Sequence, residues 1–158
     1  MQPETTALTI ANRLLTRTGD AMRRGDFDTF QECFSLPFIL ETFEGKQLHQ
    51  TRDDLLTVFN AVRSYRAAHA ILDLVRENVA AEYLDAQTIS ATHVSRMLQK
   101  GDILFGRPYP AYSVIKLVKG VWQINYCQYA VDELPQFNAA LGCTKEKAPL
   151  TPATPFTS

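Results

Sequence analysis

From residue 5 to residue 24, Leu8, Ala11, Leu14, Leu15 and Met22 recur at the spacing of one face of an amphipathic helix. Gly25 supplies a stop, and Asp26 can cap a short second helix running to about Phe34, with Phe27, Phe30 and Phe34 along one side. Pro37 ends that pattern, because the residue before a proline is pushed out of the helical region. Residues 38–43 have a strand's composition, Glu44, Gly45 and Lys46 form a turn, and residues 47–50 can return as a short strand. Thr51 then caps a third helix, with Asp54 placed to complete a capping box. Leu55, Val58, Phe59, Val62 and Tyr65 form its apolar face, and it ends near His69.

After His69 the period changes from helical to alternating. Residues 71–84, 88–99, 111–119 and 121–131 are rich in β-branched and aromatic side chains and are separated by turn residues, which predicts four long strands in an antiparallel meander. Residues 100–110 (KGDILFGRPYP) form the longest irregular piece and are a candidate lid. Alternation also predicts which side chains face inward. In the second long strand these are Ile89, Ala91, His93, Ser95 and Met97; in the third, Ser113, Ile115 and Leu117. In the last strand the more apolar set is Trp122, Ile124, Tyr126, Gln128 and Ala130. Tyr112, Val114 and Val118 would lie on the outer face with Lys116 as an apolar stripe suited to a dimer interface. A tail from residue 144 carries three prolines and little to bury, so a single domain over residues 1–143 is expected, followed by a disordered segment.

Composition narrows the class. The chain has 158 residues, 46% of them hydrophobic and 21% charged, which suits one soluble domain with a substantial core. A net charge of -1 gives no global field for nucleic acid or an anionic membrane. No stretch approaches the roughly 18–20 apolar residues of a membrane span, and the N-terminus lacks the pattern of an export signal. Cys33, Cys127 and Cys143 show no metal-ligand spacing and read as reduced thiols, so a cytoplasmic location is expected.

Helix, short helix, strand, helix and then a long meander make an α+β layout. Three segments resemble the NTF2-like superfamily, the cone fold of SnoaL-like cyclases and ketosteroid isomerases. RRGDFDTFQECF (residues 23–34) resembles its helix–Gly-Asp–helix junction. FEGKQLHQTRDDLLTVF (residues 43–59) resembles its strand, turn and third helix, and KGVWQINY (residues 119–126) the opening of its last strand. The resemblance implies a curved antiparallel sheet wrapped around three N-terminal helices, a pocket between them, and a homodimer through the outer sheet face. It implies no single chemistry, since the superfamily holds isomerases, dehydratases, epoxide hydrolases, cyclases and members that only bind or scaffold.

Ketosteroid isomerases need a carboxylate base and a tyrosine donor for the developing oxyanion. Counted from the Gly25-Asp26 junction, those positions fall on Thr42 and Thr18, and neither residue can do the job. Glu41 is adjacent to the first but points to the opposite face unless a bulge intervenes. No Asp–Arg–Asp set of the epoxide-hydrolase kind emerges, although Arg96 and Asp73 are available. His93 is the remaining acid–base candidate, since imidazole titrates near neutral pH; its plainer reading is a buried, hydrogen-bonded histidine. Candidate ligand-binding side chains are Tyr126, Gln128, Trp122, Ser113, Glu41 and Phe59, each of which also has an ordinary packing or hydrogen-bonding role. His49, before a helix cap, and His69, at a helix end, read as structural. With the histidines on separate elements, no metal site or cofactor is expected. Arg13, Arg17, Arg23 and Arg24 read as a solvated helix face.

The expected function is binding of a small, mostly apolar ligand in the cone pocket. One alternative is a SnoaL-like cyclisation, isomerisation or dehydration with His93 moving the proton. The other is a dimeric interaction domain whose pocket is filled by its own aromatics, which a cavity of about 300 Å³ or more would argue against.

Overall fold

The computed structural model describes residues 5–130. Helix α1 (Ala7–Arg24) starts at Thr6, whose side chain accepts from Thr9 N, and stops at Gly25 in the left-handed conformation, φ 73°. The backbone requires glycine there, and a Cβ would also displace the Arg63 guanidinium, 2.8 Å away. The buried stripe of α1 is Ala7, Ile10, Ala11, Leu14, Thr18 and Ala21, whereas Leu8, expected inward, faces solvent.

Helix α2 (Phe27–Glu32) is shorter than expected, and strand β1 (Phe34–Thr42) begins ahead of Pro37 rather than after it. The proline fits because the pairing of β1 is irregular between Phe34 and Ile39, where a missing N–H leaves no ladder bond unmade. Strand β2 (Gly45–His49) follows the turn, and helix α3 (Arg52–Ala68) carries the full capping box between Thr51 and Asp54. Thr51→Ala removes one half of that box and is expected to cost about 1 kcal/mol. Thr57→Ala, on the exposed face of α3, serves as the thermal-denaturation control and should leave the melting temperature nearly unchanged.

The meander consists of β3 (Asp73–Asp85), β4 (Thr88–Gln99), β5 (Ile103–Leu104), β6 (Tyr109–Val118) and β7 (Val121–Tyr129). Strand order is β2-β1-β7-β6-β4-β3, with β5 added to β4. Every pairing is antiparallel except β1 with β7, which run parallel. The sheet is therefore mixed, because α3 and the rest of the meander separate those two strands in the chain and allow a same-sense crossover. Register shifts between Asn78 and Ala80 and between Tyr83 and Asp85 in β3, and between β6 and β7, bend the sheet around the helices.

The core lies between the concave sheet face and the helices. Phe27, Phe30, Phe34, Phe38 and Phe59 join α2, β1 and α3 in a chain of ring contacts 4.8–6.4 Å apart. Around residues 100–110, β5 pairs with β4 and Phe105 packs on Tyr65 and His69, tying the loop to the end of α3. Cys143 and the expected tail lie outside the described residues.

Candidate functional site

Strict alternation along β4 buries Ile89, Ala91, His93, Ser95 and Met97 on the concave side. β6 turns Ala111, Ser113 and Ile115 to the same side. Between these strands and helices α1 and α3 lies a cavity of about 100 Å³. Its interior is mostly apolar, with walls that include Phe30, Phe34, Leu40, Val58 and Ile124. Into it project His93, Ser95, Ser113, Tyr109, Tyr129 and Cys127 from three adjacent strands.

His93 is only 3% exposed, and its Nε2 has no hydrogen-bond partner among the described residues. Burial, with a smaller contribution from the positive charge of Arg76, lowers its pKa to about 4, so the imidazole is neutral at pH 7. Burial likewise pushes the Tyr109 phenol up to about 12, partly offset by the Ser95 hydroxyl beside it, and raises Tyr129 well above its ordinary value. The Ser113 hydroxyl lies 3.3 Å from Cys127 Sγ, whose thiol is also held protonated by burial. The inner wall thus offers neutral hydrogen-bonding groups.

Charge enters from the other side of the cavity. Arg76 on β3 reaches across to α1, where one Nη donates to Leu15 O at 2.7 Å and to Thr18 Oγ at 2.9 Å. Gly19 makes room for it, since a Cβ at that position would lie 2.9 Å from the guanidinium. Arg23, Arg66 and Asp73 also line this end.

The sequence-predicted residues divide into two groups. His93 and Ser113 stand on the cavity wall. Tyr126 and Gln128 do not: an irregularity in the β6–β7 pairing, at Asn125, switches the phase of β7, so Cys127 and Tyr129 turn inward instead. On the outer face Tyr126 donates to Glu41 Oε1 at 2.6 Å and packs edge-on against Tyr112. Burial and that carboxylate both raise the Tyr126 pKa. Glu41 is consequently on the convex side, away from the cavity. Trp122 packs against Tyr83 with ring centroids 6.0 Å apart, and Phe59 sits behind the wall against Phe27 and Phe30; neither lines the cavity.

Thr18 lies on the cavity wall and Thr42 is buried outside its lining. Arg96 alternates with the inward Ser95 and Met97 and so leaves from the opposite face to the cavity. Of residues 100–110, only Tyr109 lines the cavity, which removes the basis for a lid there. His49 stacks on Phe38 and His69 caps α3. Among the described residues no group of three or more His, Cys, Asp or Glu is placed to hold a metal ion, and no helix is long and apolar enough to cross a membrane. Arg76, Tyr109 and Tyr129 escaped sequence reasoning. For Arg76 the available signal was Gly19, a glycine within a helix where a side chain must pass.

No family model matches the chain, and no curated protein matches it in sequence. Solved structures do match. An NTF2-like protein of unknown function from Shewanella oneidensis aligns with a TM-score of 0.60 at 13% identity, over 77% of this chain and 96% of that one. A domain of unknown function with a cystatin-like fold from Nostoc punctiforme aligns at 0.61 and 22% identity, over 86% and 85%. A protein named as a candidate dehydratase of the NTF2-like family, from Streptomyces avermitilis, aligns at 0.60 and 14% identity, over 79% and 95%.

Proposed function

On a chain with the NTF2-like fold, we propose that the cavity of the cone binds a small, mostly apolar molecule. The observation that carries this reading is an apolar cavity into which His93, Ser95, Ser113 and the Tyr109 and Tyr129 side chains converge from three strands. Ligand sites have that composition: apolar walls with a few polar groups that fix orientation. A volume of about 100 Å³ restricts the ligand. At roughly 10–15 Å³ for each water-sized centre, it accommodates about seven to ten such centres.

A catalytic version has His93 moving a proton in a cyclisation, isomerisation or dehydration. Its lowered basicity suits hydrogen bonding to a ligand better than proton abstraction at neutral pH. A second reading, an interaction domain with a filled pocket, draws support from the modest volume. Either version is compatible with a homodimer through the outer sheet face, where Tyr112 and Val118 are exposed.

Native mass spectrometry of freshly purified protein discriminates these readings. The binding reading expects an adduct that disappears on denaturation, and His93→Leu should reduce its retention. A bare protein that also takes up no small apolar compound on titration would sink it in favour of the interaction domain. The subunit number in the same spectrum tests the dimer.

A further inference from the structure

We propose that the ligand of this cavity is a small carboxylic acid bound as its anion, its apolar body inside the cone and its carboxylate held at the mouth by Arg66 and Arg76. This rests on the reading of the cavity as a binding site and specifies what binds there. Four ionic side chains line the mouth end: Arg23, Arg66, Arg76 and Asp73. Arg23 is paired with Asp20. That leaves two half-buried guanidinium groups and one carboxylate. Among the described residues neither Arg66 nor Arg76 makes an ion pair within 4.0 Å.

The Arg76 contacts, Leu15 O and Thr18 Oγ, are neutral acceptors, and a guanidinium has five N–H donors. Donors therefore remain for an anion. Arg66 is destabilised first by desolvation, while Asp73 favours its charge and Arg23, Arg76 and Arg63 all oppose it. A second negative charge at this end relieves that repulsion, a neutral ligand leaves it in place, and an ammonium ligand adds to it. The two arginines come from α3 and β3, and both line the cavity, close enough for the charge of Arg76 to act on Arg66. Beyond them the walls are mostly apolar with a few neutral polar groups, leaving room for a phenyl ring or a short alkyl chain but no charge to receive a second anionic group. The His93 Nε2 remains as a neutral hydrogen-bond group for whatever occupies the inner end.

Benzoate and its neutral isostere benzamide are suitable probes, titrated by calorimetry while the ring nitrogens of His93 are followed by NMR. Benzoate should bind, shift the His93 resonances and bind more tightly than benzamide. Charge-assisted hydrogen bonds contribute about 1.5–3 kcal/mol, so Arg66→Gln should weaken benzoate about tenfold or more and leave benzamide unchanged. Arg76→Gln should do the same. Since Arg76 also ties β3 to α1, circular dichroism must first show that this variant folds; Arg66, with no such bond, keeps the test valid if it does not. Arg13→Gln, on the exposed face of α1, is the control. Equal binding of both probes, insensitive to the Arg66 variant, overturns the anion proposal but keeps the binding site. Benzoate binding without a His93 shift also overturns it, as a surface contact. If neither probe binds at millimolar concentration, the carboxylate proposal fails, while the binding reading is still decided by the retained adduct and the titration with small apolar compounds.

Discussion

Phe59→Ala is expected to lower the unfolding free energy by about 3–5 kcal/mol, the range for truncating a buried phenylalanine. The ring is 2% exposed and stands 5.3 Å from Phe27 and 4.9 Å from Phe30, centroid to centroid. These contacts hold α2, which has six residues and too few internal hydrogen bonds to persist alone. Truncation therefore removes transfer energy, opens a void and frees α2. A domain of this size has only about 5–15 kcal/mol in total, so the variant should melt far below the parent. Urea denaturation checks it, with an unchanged slope as the sign that two-state behaviour survives. Phe59→Leu, which keeps most of the volume, should cost about 1.5 kcal/mol or less. If alanine cost no more than leucine, the aromatic cluster would not be the anchor argued above.

Acid should destabilise the protein through His93. The unfolded chain protonates this imidazole near its ordinary value of 6.5, whereas the folded protein holds it neutral down to about 4. Between those values the unfolded state binds more protons, so stability rises with pH. It is complete above about 6.5, is lost as pH falls toward 4, and changes no further below that. That difference corresponds to at most about 3.4 kcal/mol. The groups facing His93 do not offset this: Arg76 is a cation, and Tyr109, Tyr129 and Cys127 are neutral throughout the window. His93→Gln should flatten the stability curve between pH 6.5 and 4, read from urea midpoints across the range. Asp26, Asp54 and Asp85, held low by hydrogen bonds to their carboxylates, titrate in a separate window below about 3.8. An unchanged slope in the glutamine variant would mean that His93 is hydrated or paired in solution.

Several elements were legible because their causes are local. The capping box and apolar stripe of α3 lie within one short segment, and the bounds of β4 and its inward set follow from uninterrupted alternation. The α+β order followed from the sequence of such segments, and the cone from the resemblance of residues 23–34, 43–59 and 119–126 to the NTF2-like superfamily. The site was legible only where a strand kept its phase: His93 and Ser113 are on the wall, whereas Tyr126 and Gln128 are not. Asn125 carries no signature that marks it as the irregular residue, because that irregularity is a property of how β7 pairs with β6. In β1 the same holds for Pro37, tolerated where the partner strand makes no demand on its backbone.

Sequence by itself therefore determined the three helices and the four long strands, their order and the inner face of the regular strands, since three-to-four and two-residue periods act within a dozen residues. Tertiary structure alone decided the phase of β7, the volume of the cavity and the placing of Arg66 and Arg76 on its wall. Those depend on pairing and packing between residues distant in the chain, whose joint positions no local period encodes.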